Sequence, residues 1–173
     1  MPRRPSSRSR PHRLCLRSQR SWSPEVLPTR GDGSCLFRAI AYALTSDRRY
    51  ADGSDPQTVR DVQDVRRELV RYVCANWSND APNQRPWGDN VAEYYGVRTV
   101  DAYERHMTDP RTWGGHIELT AAVVPFGGIH VHQADGRADQ RTGDAKLHVA
   151  YNGHDHYSAM RQPSRTTRFI PHV

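Results

Sequence analysis

Lysine is nearly missing from this chain: of its 25 Lys and Arg residues, only Lys146 is a lysine. A GC-rich coding sequence accounts for that bias, and the sharper reading is escape from lysine modification. Cysteine is scarce as well. Cys15, Cys35 and Cys74 are odd in number and scattered, and no CxxC pair occurs. That excludes a disulfide framework and points to a reduced, cytoplasmic setting. Long apolar runs are absent: none approaches the roughly 20 residues that a membrane helix needs. The N-terminal segment also lacks the apolar stretch of a secretory signal. Acidic residues are missing from positions 1–23, which hold seven arginines. Those seven exceed the whole chain's net charge of +6, so the basic character belongs to the tail.

The 173 residues suffice for one domain with its own core. Residues 1–21 read as an Arg/Ser-rich tail, disordered by composition, with contact to nucleic acid a weak option. Residues 22–173 read as the domain. "GDGS" is a turn, and a helix follows over 35–44, with Leu36, Ile40, Ala43 and Leu44 on one face and Phe37 at its edge. The clearest helix begins near Pro56. Val59, Val62, Val65, Leu69, Tyr72 and Val73 recur at helical spacing, charges fill the other face, and Cys74 sits at the edge of the core. One or two short helices follow over 90–107, then a helix from His116. Two strands, "GGIHVHQA" and Lys146 through "LHVAY", flank a polar hairpin connection, and "HYSAM" ends the domain. Helices followed by strands indicate an α+β domain, with helices around a small, mostly antiparallel sheet.

Cys35 carries the most chemistry. Gly31 and Gly33 let the chain turn tightly before it. A helix N-terminus offers unpaired N–H groups and partial positive charge, which favour thiolate over thiol. The same N–H groups can hold the oxyanion of an acyl-transfer intermediate. A buried cysteine starting a core helix explains the local pattern equally well. A nucleophilic cysteine needs a base, and histidine is the usual one. Of nine histidines, His130, His132, His148, His154 and His156 lie in the strand region. "GHDHYSAM" places His156 after a glycine-containing loop, where a site can open.

Asp32-Gly33-Ser34-Cys35-Leu36-Phe37-Arg38-Ala39, Trp113-Gly114-Gly115 with Glu118-Leu119, and His156-Tyr157 stand in this order. Together they resemble the ovarian-tumour (OTU) family of cysteine proteases, which are deubiquitinases. The resemblance implies a papain-like fold, no cofactor, and hydrolysis of isopeptide bonds after the ubiquitin C-terminus. It implies Cys35 as nucleophile, His156 as general base, and Asp32 as the residue ordering the oxyanion loop, with N–H groups of Gly33, Ser34 and Cys35 as donors. Trp113, Gly114, His154 and Tyr157 would line the substrate channel with Gly33 and Ser34. The implied partner is ubiquitin, polyubiquitin or a ubiquitin-like modifier, engaged by a monomer without a membrane. The pattern departs at Ser34, where the family usually has Asn, and at Ser158, where many members have the Asp or Asn that orients the histidine. Ser158 could do that weakly, an upstream residue such as Glu25 could supply a carboxylate, or the site could work as a dyad. Asp155 points to the wrong face of the strand.

Three other readings compete with this one, the first within the same residues. His130 and His132 share a strand face, as do His154 and His156, and neighbouring strands could assemble a metal site, although no carboxylate or cysteine completes it. A non-catalytic ubiquitin-binding domain would tolerate Ser158 but has no use for Cys35 and His156 together. A nucleic-acid-binding protein is supported by the tail alone. A compact domain with such a tail fits a viral or bacterial effector, in host cytoplasm, or a fragment of a larger protein.

Overall fold

The structure is a computed structural model that describes residues 25–133, 140–142 and 147–161. The tail over 1–21, the expected domain start at 22, the C-terminal segment from 162 and most of the polar connection after β2 lie outside the described residues. The chain runs β1 (Glu25–Leu27), α1 (Cys35–Thr45), α2 (Arg49–Asp52), α3 (Pro56–Ala75), α4 (Trp87–Tyr95), α5 (Val100–Thr108), α6 (His116–Ala121), α7 (Val123–Phe126), β2 (Ile129–Gln133), β3 (Gln140–Thr142), β4 (Leu147–Tyr151) and β5 (Tyr157–Arg161). This is the expected α+β order, with additions: β1 precedes the helices, α2 follows α1 in a stretch without expected structure, and β3 lies in the expected hairpin connection. No helix among the described residues is long and apolar enough to cross a membrane.

The sheet has the order β1-β5-β4-β2-β3 and is mixed. The strands expected to form a hairpin, β2 and β4, instead run parallel, with Ile129 opposite Leu147 and Val131 opposite Val149. β3 takes the antiparallel place beside β2, and β4 pairs antiparallel with β5, as does β1 on its far side. The expected mostly antiparallel sheet is therefore corrected to a mixed one around a central parallel pair. The reason lies in the connection. It contains a strand of its own, so the chain returns to β4 on the opposite side of β2.

α1 packs across β5 and β4 on one side and against α2 and α3 on the other. Enclosure on both sides buries every residue from Cys35 to Tyr42, so the expected single apolar face is too narrow a description. Leu44, assigned to that face, is 43% exposed. α3 starts where its caps dictate: Asp55 accepts from the N–H groups of Gln57 and Thr58, and Pro56 fills the first turn. Its buried stripe is Thr58, Val62, Arg66, Leu69, Val70 and Val73, while Val59 is exposed. Arg66 thus occupies a core position that its charge had assigned to the solvent face. Cys74 is half-buried at the margin of the core, as its position on the helix suggested. Gly96, in the left-handed region at φ 70°, ends α4 and separates it from α5.

Candidate active site

The loop before α1 is fixed from three directions. Gly33 has φ 83°, and a Cβ there would lie 2.6 Å from the Arg111 carbonyl oxygen, so glycine is required both by its conformation and by the close approach. Asp32 accepts from the Ser34 N–H at 3.1 Å and from Arg38 Nη2 at 2.7 Å. Arg38, itself buried, donates onward to the Gly53 carbonyl at 2.9 Å. Burial opposes ionisation of Asp32, but the Arg38 guanidinium and the Ser34 N–H outweigh it and hold the carboxyl below its usual value. Ser34 turns inward: its hydroxyl donates to the Pro110 carbonyl at 3.1 Å and accepts from Gln63 and Arg66.

Arg66 is the residue that sequence reasoning missed. It is fully buried, and its Nη1 donates to the carbonyls of Met107 (3.0 Å) and Thr112 (2.8 Å). Its Nη2 donates to the carbonyls of Gly33 (3.1 Å) and Pro110 (3.2 Å) and to the Ser34 hydroxyl (3.0 Å). The guanidinium lies 4.1 Å over the Phe37 ring. Burial lowers its pKa to about 10, so it stays charged at neutral pH. One side chain thereby ties the Cys35 loop to the segment leading to Trp113. The only sequence signal was its spacing, four residues after Val62 and three before Leu69.

Cys35 opens α1 and is 5% exposed. Burial pushes its thiol above the ordinary value, against main-chain N–H groups of Tyr157, Leu36 and Cys35 itself, and the Asp32 carboxylate adds to the rise. The helix start alone was expected to lower it. The N–H groups do favour the anion, but the sulfur has lost more by leaving water. The contact with Tyr157 sets the beginning of β5 against the beginning of α1, next to His156.

His156 ends the β4–β5 turn. Asn152 Oδ1 accepts from the N–H groups of His154, Asp155 and His156 at 2.9 to 3.0 Å, and Gly153 has φ 87°. Asn152 thus shapes the turn that carries the histidine, as Asn commonly does by bonding the backbone just ahead of it. Nε2 of His156 lies 3.2 Å from the Thr29 hydroxyl. That hydroxyl donates to the Tyr157 carbonyl, so it accepts from the imidazole. The network therefore assigns the proton to Nε2 and leaves Nδ1 as the basic nitrogen. Thr29 stands there because β1 pairs with β5, Leu27 opposite Ala159.

The other suggested partners are placed differently. Ser158 sits opposite Ala150 in the sheet, and among the described residues no hydrogen bond joins it to His156. Glu25, at the far end of the β1–β5 pair, is bonded to Arg161 at 2.8 Å. Asp155 accepts from Asn152 in the exposed turn.

A groove of about 230 Å³ is lined by Asp155 and Tyr157, the two neighbours of His156 in the chain. Trp113, Gly114 and Gly115 line it from the α5–α6 loop, Tyr151, His154, Asp155 and Tyr157 from the β4–β5 hairpin, and Tyr94 and Tyr95 from α4. Four expected channel residues, Trp113, Gly114, His154 and Tyr157, are thus brought together; Gly33 and Ser34 are not among the lining residues. Glu118 supports one side: fully buried, it accepts from the Gly115 N–H at 2.7 Å and from the hydroxyls of Tyr95 (2.6 Å) and Tyr103 (2.7 Å). Neither this groove nor a larger hollow of about 770 Å³ beside α4 and α6 includes Cys35 or His156, and the hollow includes none of their chain neighbours.

A family model described as OTU-like cysteine protease matches residues 30–164. The chain is 29% identical over 142 residues to OVARIAN TUMOR DOMAIN-containing deubiquitinating enzyme 4 of Arabidopsis thaliana, covering 75% of this chain and 41% of that protein. It is 26% identical over 143 residues to enzyme 7 of the same series and plant, covering 79% of this chain and 32% of the relative. The chain thus spans less than half the length of these curated relatives. Among solved structures, an OTU domain in complex with ubiquitin superposes with a TM-score of 0.58 at 22% identity, covering 79% of this chain and 69% of that one. The Hazara virus OTU bound to ubiquitin gives 0.57 at 21% identity, with 80% of each chain covered. At these identities the likeness shows the fold.

Proposed function

The chain belongs to the family of OTU-like cysteine proteases, and from that premise we propose that it is a deubiquitinase. It cleaves isopeptide bonds after the C-terminal glycine of ubiquitin, polyubiquitin or a ubiquitin-like modifier. The observation that carries the reading is the meeting of α1 and β5: Cys35 contacts the Tyr157 backbone, and the adjacent His156 is held through Nε2 by Thr29.

The chemistry follows from these positions. The buried Cys35 thiol loses its proton to Nδ1 of His156 as the sulfur attacks the glycine carbonyl. Main-chain N–H groups at the start of α1 receive the developing oxyanion. Because Asp32 engages the Ser34 N–H, the donors left in the loop are Gly33 and Cys35. The imidazolium then gives its proton to the leaving lysine amine, and a thioester remains on Cys35. Water, deprotonated by His156, releases the ubiquitin carboxylate. The narrow groove beside Trp113 and Gly114 suits an extended Gly-Gly tail, since side chains on that tail would meet its aromatic lining. Thiol, imidazole and groove all come from one chain, so a monomer suffices. A reducing cytoplasm keeps the thiol competent.

The deciding experiment incubates the protein with ubiquitin carrying a thiol-reactive group at its C-terminus. A covalent adduct that is lost in Cys35→Ala is the expected result. No adduct, or one that survives Cys35→Ala, removes the proposal.

A further inference from the structure

Parallel pairing of β2 and β4 sets His130 against His148. His132 lies two residues along β2 and so shares their face. The alternating residues Ile129, Val131, Leu147 and Val149 belong to the core. The three imidazoles therefore occupy the sheet face opposite the one that packs on the helices. They are closely grouped. The rings of His130 and His132 stack with centroids 4.1 Å apart, and that of His148 lies 5.3 and 5.1 Å from them. Nε2 of His132 is 2.8 Å from Nδ1 of His148. One ring nitrogen from each histidine lies within 4.8 Å of the other two. His130 is buried, while His132 and His148 are half-buried.

Imidazole nitrogens at such spacing are what a divalent transition metal binds. We propose that His130, His132 and His148 form a site for a divalent ion of the imidazole-preferring class, with Zn²⁺ as occupant and water completing the shell. Ligand nitrogens on tetrahedral zinc stand about 3.3 Å apart, so the closest pair opens by roughly half an ångström and no pair closes by more than roughly 1.5 Å. Rotation of the rings, which is loosely restrained about χ2, covers that change. Ligands from both strands make the ion a clamp on the central parallel pair. The site is separate from Cys35 and His156 and has no part in peptide hydrolysis. Sequence spacing paired His130 with His132 but offered His154 and His156 as companions; the register of β4 supplies His148 instead.

The test uses the full chain carrying Cys35→Ala, so that the reactive thiol cannot take the metal. It is dialysed against Zn²⁺ and counted by elemental analysis, titrated with Co²⁺ under visible spectroscopy, and melted with and without Zn²⁺. One ion per chain, visible bands of tetrahedral Co²⁺ with nitrogen ligands, and a higher melting midpoint with Zn²⁺ are expected. His132→Gln and His148→Gln should each weaken binding by more than the roughly 10–100-fold cost of losing an outer-shell partner, and should remove the thermal shift. Circular dichroism reports whether each variant is folded. Should either substitution unfold the chain, the Co²⁺ spectrum of the protein with all three histidines decides alone. Absence of bound Zn²⁺ in Cys35→Ala, a Co²⁺ spectrum without tetrahedral nitrogen ligation, or binding unchanged in both folded variants overturns the site.

Discussion

The Thr29 hydroxyl accepts from Nε2 of His156 at 3.2 Å and donates to the Tyr157 carbonyl. An uncharged hydroxyl therefore stands where a carboxylate or amide was expected to orient the imidazole. It fixes the tautomer by geometry, without the charge that would stabilise an imidazolium. Its position two residues past β1 makes the orientation of a C-terminal histidine depend on an N-terminal strand.

Thr29→Val should lower kcat on a ubiquitin substrate by roughly 10–100-fold with little change in KM, since it removes the group that orients the base. Thr29→Ser should restore most of the rate, and Ser158→Ala should leave it nearly unchanged. Steady-state kinetics of the three variants, with pH profiles, provide the check. A large loss in Ser158→Ala with none in Thr29→Val would reverse the assignment.

Arg66→Met should destabilise the fold by on the order of 3 kcal/mol, because it leaves buried carbonyls of the two site loops without a donor. Urea midpoints measure this. The surviving folded fraction should also turn over more slowly, as the Gly33 carbonyl and Ser34 hydroxyl lose their shared anchor. An unchanged midpoint would show that Arg66 is dispensable.

In the substrate-free protein, alkylation of Cys35 should be slower near pH 8 than in the urea-unfolded chain and should rise with a midpoint above the ordinary thiol value of about 8.5. The sign follows from burial. A raised folded-state pKa keeps the proton on, and the unfolded chain ionises first as pH increases. Peptide mapping of carboxamidomethylated Cys35 across pH gives the curve. A midpoint below neutrality would instead indicate a resting thiolate–imidazolium pair.

Asp32 has a depressed pKa, so its contribution to stability is present above the unfolded value near 3.8 and is lost as pH falls through the folded one. Asp32→Asn should remove part of the acid-induced drop in thermal midpoint between neutral pH and pH 3. It should also cost activity at neutral pH, because the neutral amide keeps only one of the two oxygens and loses the charge that holds Arg38. Calorimetry over pH tests the first, and hydrolysis rates test the second.

Trp113 is 53% exposed, so Trp113→Ala should fold with an unchanged melting midpoint and raise KM several-fold. Gly114→Ala should instead unfold or distort the site. Its Cβ would lie 2.6 Å from Cζ of Phe37, which is fully buried and cannot retreat. Paired melting curves and kinetics separate the two outcomes.

Much of the site was legible locally. The Gly33 turn, the helix starting at Cys35 and the Trp113-Gly114 loop all follow from short-range chemistry, and the residues carry it in their order. What was not legible came from long-range pairing. A three-residue strand such as β1 carries almost no periodicity, so nothing near Thr29 pointed to a histidine more than 120 residues away. Arg66 was assigned to solvent because arginine is seldom fully buried, and only the carbonyls gathered around it make burial tolerable. The hairpin reading of β2 and β4 failed because a polar connection does not show whether it contains a strand.

The sequence by itself determined which groups can react. Cys35, His156 and the glycine turns are set by covalent chemistry and backbone sterics, which hold wherever the chain places them. Tertiary structure decided which groups act on one another. Sheet order brought Thr29 rather than Glu25 to His156, and a parallel register brought His148 to His130 and His132. Burial also reversed the expected shift of the Cys35 thiol, because desolvation is a property of the surroundings and not of the residue.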